Sequence, residues 1–144
     1  MIGDNYYQGA AYVFFRDQGG ADQWGQVKKL IASDGAANDD FGSEVFINDD
    51  AILVGADCCS DDPVPGKAYL FIRNQGGLDA WGEVTRLTAS DGTAGDLFGR
   101  SISLSQNTLI IGAWEANVGE NEDQGEAYVY YLQSYGVYLP LTIR

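Results

Sequence analysis

A chain of 144 residues with 45% apolar content is long enough to bury a core, yet its formal charge of −13 repels a phosphate backbone or an anionic membrane surface. The absence of histidine removes Ser-His-Asp and Cys-His sites from within one chain, along with the commonest general base and metal ligand. No run reaches the ~18 apolar residues of a membrane helix, so neither nucleic acid nor membrane insertion is expected. Nineteen glycines against three prolines point to many tight turns and little helix. Met1-Ile2-Gly3-Asp4 lacks the basic and apolar regions of a signal peptide, so an exported form would carry its signal upstream.

In chain order, the first predicted strand is 11–16, apolar at nearly every position as befits a strand covered on both faces. The second, 24–31, opens on Trp24 and carries polar residues along one side. Asp34-Gly35 marks a turn, Phe41-Gly42 leads into a third strand at 43–47, and Asn48-Asp49-Asp50 turns the chain into a fourth at 51–54. Cys58 and Cys59 then stand side by side, where a ring closed between neighbours would be strained. They read as thiols, or as a link from one of them to another chain. The same series returns as predicted strands at 68–73, 81–88, 100–104 and 108–111.

The return is a duplication. Residues 9–56 align with 66–113 at a constant offset of 57 without a gap, and 23 of the 48 positions are identical. Gly9-Ala10-Ala11-Tyr12 matches Gly66-Lys67-Ala68-Tyr69, Trp24 matches Trp81, and Ala32-Ser33-Asp34-Gly35 matches Ala89-Ser90-Asp91-Gly92. A third copy begins at Gly125-Glu126-Ala127-Tyr128 and then departs. Four short strands per 50 to 60 residues, repeated and apolar on both faces, describe an all-β chain of four-stranded antiparallel propeller blades. A β-sandwich is the alternative, but it leaves the matched spacing of the units unexplained.

Phe41-Gly42 followed by Gly55-Ala56, and Phe98-Gly99 followed by Gly112-Ala113, resemble the FG-GAP repeat of integrin α-subunit propellers and bacterial surface proteins. Asp57 and Trp114 stand where that motif has its proline, and Leu87-Thr88-Ala89-Ser90-Asp91-Gly92 is similar to a string common in the bacterial members. The resemblance covers residues 3–132. It implies that the Phe packs between blades and that the glycines allow close approach. In the family's frame, residues 3–41 form a partial blade, 42–98 one blade and 99–144 another. Two and a half blades leave apolar faces and strand edges open, so self-association or further repeats are expected. The ending from Val137 to Arg144 resembles the C-terminus of some secreted members.

The calcium loop that the resemblance implies is missing, because Asn48-Asp49-Asp50 and Ser105-Gln106-Asn107 offer too few ligands. Two longer acidic loops are the candidates instead: Asp57, Asp61 and Asp62 in one, Glu120, Glu122 and Asp123 in the other, as oxygen ligands for Ca²⁺ or as a solvated rim. Asp34 and Asp39, matched by Asp91 and Asp96, suggest with Asp40 a hydrogen-bond network that stabilises the loop. Trp24 and Trp81 recur and are expected to pack, whereas Trp114, with Glu115 and Asn117, is the better ligand candidate. No carboxylate stands out from the acidic background as a catalytic acid, and Gly19-Gly20 and Gly76-Gly77 read as hairpin turns rather than phosphate loops. The expectation is a non-catalytic, secreted or cell-surface binding or adhesion module with a protein or glycan ligand. A lectin-like propeller and a purely structural repeat segment are the alternatives.

Overall fold

The computed structural model describes residues 6–58, 65–133 and 136–143, with side chains described as far as Leu132. Strands β1 (Ala11–Phe15) and β2 (Gly25–Leu30) make a two-stranded sheet. Strands β3 (Val45–Asn48), β4 (Ala51–Ala56), β5 (Lys67–Ile72) and β6 (Gly82–Leu87) make a four-stranded sheet in that order. Strands β7 (Phe98–Ser105), β8 (Thr108–Ala113), β9 (Glu126–Gln133) and β10 (Gly136–Ile143) make a second one. Every pairing between these strands is antiparallel, and no helix long and apolar enough to cross a membrane occurs among the described residues. The architecture is all-β, a half-blade followed by two blades of a β-propeller.

The strands lie where the repeat places them, with ends shifted by one or two residues. β4 and β8 run on through Gly55-Ala56 and Gly112-Ala113, and β10 is a full edge strand in the stretch where the third copy departs from the pattern. Pro140 in β10 lacks an N–H for the ladder, and the register with β9 shifts between Tyr138 and Leu141; an edge strand tolerates both. The glycine pairs sit in hairpin turns, as expected, where Asp17 Oδ1 accepts the Asp22 N–H at 2.6 Å and Asn74 Oδ1 accepts the Asp79 N–H at 3.0 Å.

Alternation along the strands gives each blade two apolar faces. The leading face of the first blade (Ile52, Val54, Tyr69, Phe71, with Phe41 and Trp81) packs against Val13 and Leu30 of the half-blade. Its trailing face (Leu53, Ala68, Leu70, Leu87) packs against Ile102, Leu104, Ile111, Tyr128 and Tyr130 of the second blade. Phe98 is fully buried at that junction and Phe41 nearly so at the other. Phe41 meets Tyr69 at 5.3 Å between ring centroids, and Phe98 meets Tyr128 at 5.4 Å. The motif glycines meet across the same seam. A Cβ on Gly55 would overlap the Gly99 carbonyl oxygen, and Gly99 itself has φ +98°, so Phe-Gly of one repeat lies against Gly-Ala of the repeat before it.

Two sequence expectations need correcting. Strand β1 is covered on one side only: Val13 is buried, but Tyr12 and Phe14 are 50% and 49% exposed, because nothing among the described residues lies against the leading face of the half-blade. For the same reason Trp24 does not pack. It is 67% exposed, whereas its repeat partner Trp81 is 2% exposed against the half-blade.

Phe14 and Phe71 occupy the same place in successive repeats, which makes them a matched pair for measuring burial. Phe71→Ala should cost about 3–5 kcal/mol of unfolding free energy in urea denaturation. Phe14→Ala should cost under ~1 kcal/mol.

Candidate functional site

Each blade junction carries a polar cluster above its aromatic core, built by the loop that follows β2 or β6. Inside that loop Asp39 Oδ2 accepts the Ala36 N–H at 2.6 Å, and the matching Asp96 accepts the Thr93 N–H and hydroxyl at 2.7 and 2.8 Å. Both carboxylates are buried, so these bonds fix the loop in front of Phe-Gly. Asp34 and Asp91 reach outward instead, to the next repeat. Asp34 accepts the Tyr69 hydroxyl at 2.8 Å, and Asp91 accepts the Tyr128 hydroxyl at 2.8 Å. The recurrent aspartates thus form the expected network, and it joins blades as well as bracing loops.

The two junctions differ in charge. At the first, Lys67 lies 3.7 Å from Asp34 and 3.4 Å from Asp39, and Arg86 also pairs with Asp34. At the second, Glu126 replaces Lys67, and its carboxylate lies 2.7 Å from the Tyr128 hydroxyl. Burial works against the charge on Asp34, but the Tyr69 hydroxyl and the neighbouring Arg86 and Lys67 outweigh it and hold the carboxyl below its ordinary pKa. Burial, reinforced by the nearby carboxylates, raises the pKa of Tyr69 and Tyr128 well above the ordinary phenol value. Tyr130, whose hydroxyl donates to the Thr88 carbonyl at 2.8 Å, is pushed up to about 12, mainly by burial.

The second feature is the β8–β9 loop. Trp114 is 56% exposed, and the Arg100 guanidinium lies over its ring at 4.8 Å from the centroid. Arg100 also reaches Asp57 of the first blade at 3.4 Å, so one side chain ties the exposed indole to the neighbouring blade. The loop itself is braced by paired backbone bonds between Val118 and Asn121 (3.0 and 3.1 Å) and by Asn117 Oδ1 accepting the Asp123 N–H at 2.8 Å. Glu115 is partly buried beside Trp114, while Asn117 is exposed.

A model of the FG-GAP repeat matches residues 24–71 and again 81–130. The chain belongs to the FG-GAP repeat family. No curated protein matches it. The FG-GAP motif residues Phe41, Gly42, Gly55, Ala56, Phe98, Gly99 and Ala113 lie at blade junctions, and Gly112 and Ala113 also lead into the Trp114 loop.

Among the acidic candidates, Asp57 is buried and paired with Arg100 rather than presented to solvent, and Glu120, Glu122 and Asp123 are exposed along the β8–β9 loop. Asp61, Asp62 and Cys59 lie outside the described residues; Cys58 is buried. Among the described residues, no group of three or more Asp, Glu or Cys side chains is arranged to hold a metal ion. Sequence reasoning missed Arg100. Its signal was a paired departure from the repeat, Ser43 becoming Arg100 where Asp57 becomes Trp114.

The Asp34 pairing sets an acid-side pH dependence. Because the folded pKa lies below the ordinary aspartate value, the stabilisation is present above that value and is lost as pH falls through the folded pKa. Asp34→Asn should therefore lower the melting temperature at pH 7 and flatten its fall below about pH 4, as measured by scanning calorimetry from pH 2 to 7.

Proposed function

We propose that this FG-GAP chain is a non-catalytic binding module, secreted or at the cell surface, that contacts a protein partner through the β8–β9 loop. One observation carries the reading: Trp114 is exposed, yet held by Arg100 and seated on a loop braced by its own hydrogen bonds. A large apolar ring fixed in one place before binding loses little entropy on binding, which is how contact aromatics concentrate affinity. Trp114, Glu115 and Asn117 form the proposed contact surface. Its setting suits a module of this family, in which variable loops sit on repeated blades.

A lectin-like role is the second reading, favoured by the exposed indole with a carboxylate and an amide close in sequence, a combination that stacks on a sugar ring and reads its hydroxyls. The faces left open by the half-blade are completed by self-association or by further repeats.

Parallel screening on arrays of extracellular proteins and of glycans tests the proposal. Binding to a protein that Trp114→Ala weakens at least tenfold, with the melting temperature unchanged, is the expected result. Hits confined to glycans would move the reading to a lectin. Silence on both arrays would leave a structural repeat.

A further inference from the structure

The string Ala-Ser-Asp-Gly occurs twice, at 32–35 and at 89–92, in the loops that stand before the two Phe-Gly pairs. In both copies a glycine follows the aspartate, so no Cβ crowds the backbone nitrogen next to the side-chain carboxyl. Such a nitrogen attacks Cγ and closes a five-membered imide when it is free of other bonds and the carboxyl is not held as a carboxylate. The two copies differ on both counts.

At the first copy the Gly35 N–H donates to the Ala32 carbonyl at 3.3 Å and closes a turn. The buried Gln8 lies against it, and a Cβ on Gly35 would overlap the Gln8 amide. Asp34 pairs with Lys67 and Arg86, and against the effect of burial its carboxyl is held below its ordinary pKa, hence ionised and a poor electrophile. At the second copy the Gly92 N–H donates no hydrogen bond among the described residues. Asp91 is exposed and Gly92 partly so, which admits water to the pair. The two cations of the first copy are not repeated. Glu126 stands in the place of Lys67, and Thr142 faces Tyr128 in the strand pairing as Arg86 faces Tyr69.

We propose that Asp91-Gly92 is a site of spontaneous isoaspartate formation, and that Asp34-Gly35, within the same four-residue string, is not. The Gly92 nitrogen bonds to Asp91 Cγ, and the carboxyl hydroxyl leaves as water with the amide proton. Water then opens the imide at the former main-chain carbonyl, breaking its bond to nitrogen, and the nitrogen regains a proton. The main chain now runs through Cβ and Cγ, and the carboxylate sits directly on Cα. Water is the only reactant, and the mass of the chain is unchanged. One carbon nearer the main chain, the carboxylate no longer reaches the Tyr128 hydroxyl, which Asp91 Oδ1 accepts at 2.8 Å in the unmodified chain. The bond that pins the second blade to the first is lost, while Tyr69–Asp34 persists at the other junction. The reaction ages one junction and spares the other. It is independent of the Trp114 loop and its ligand.

The test holds the whole chain at 37 °C and pH 6 in water enriched in oxygen-18 and maps isoaspartate by mass spectrometry of its peptides. At least tenfold more isoaspartate at residue 91 than at residue 34, with one solvent oxygen gained per conversion, is the expected result. In urea the unfolded chain should convert both sites at similar rates, which assigns the difference to the fold. The aged chain should melt lower than fresh chain, whereas Asp91→Glu, which would have to close a six-membered ring, should keep its melting temperature through the same incubation. Equal conversion of the two sites in the folded chain, or conversion at neither while the unfolded chain converts, would overturn the site. An aged chain rich in isoaspartate at residue 91 that melts as fresh chain does would overturn the loss of the pin.

Discussion

The fold depends on the contact between successive repeats, where a tyrosine of one repeat donates its hydroxyl to the aspartate of the Ala-Ser-Asp-Gly loop before it. That bond lies over the Phe of Phe-Gly, so polar pin and aromatic core are one structure. Four strands cannot cover their own two faces, and each blade is therefore stable only as far as its neighbours shield it. The glycines serve the same contact: Gly55 and Gly99 let the backbones of two blades meet where any side chain would hold them apart.

Function follows from what such a scaffold leaves free. The junction residues are occupied with holding blades together, so variation collects in the loops that leave the repeat pattern. The β8–β9 loop departs furthest among the described loops, with Trp114 for Asp57 and Arg100 for Ser43. Where the earlier repeat has a buried acid, the later one has an exposed indole stacked under a guanidinium. Lys67 and Glu126, at equivalent positions, show the same freedom in the polar layer: one neutralises its aspartates and the other adds to their charge.

Much of this was legible in the sequence, because an ungapped offset of 57 residues carries strand order, turn placement and the motif contacts together. What it could not carry was the identity of neighbours. Trp24 and Trp81 are the same residue in the same local string, yet only Trp81 has the half-blade against it. The same holds for Tyr12 and Phe14 beside Tyr69 and Phe71. The Tyr69–Asp34 bond was hidden for a related reason, since it spans 35 residues and joins two repeats, although its recurrence as Tyr128–Asp91 was readable from the aligned copies. β10 escaped because a proline and a broken register mask its alternation. Arg100 could have been found by asking which two departures from the repeat occur together.

If the junction is the controlling contact, the two complete blades must open together rather than one at a time. Native-state hydrogen exchange measured residue by residue in low denaturant tests this most directly. The slowest amides of β5 and those of β9 should exchange through one shared opening, with the same free energy and the same denaturant dependence. Early, independent exchange of β8 and β9 while β4 and β5 stay protected would contradict it, and would mean that each sheet holds itself together.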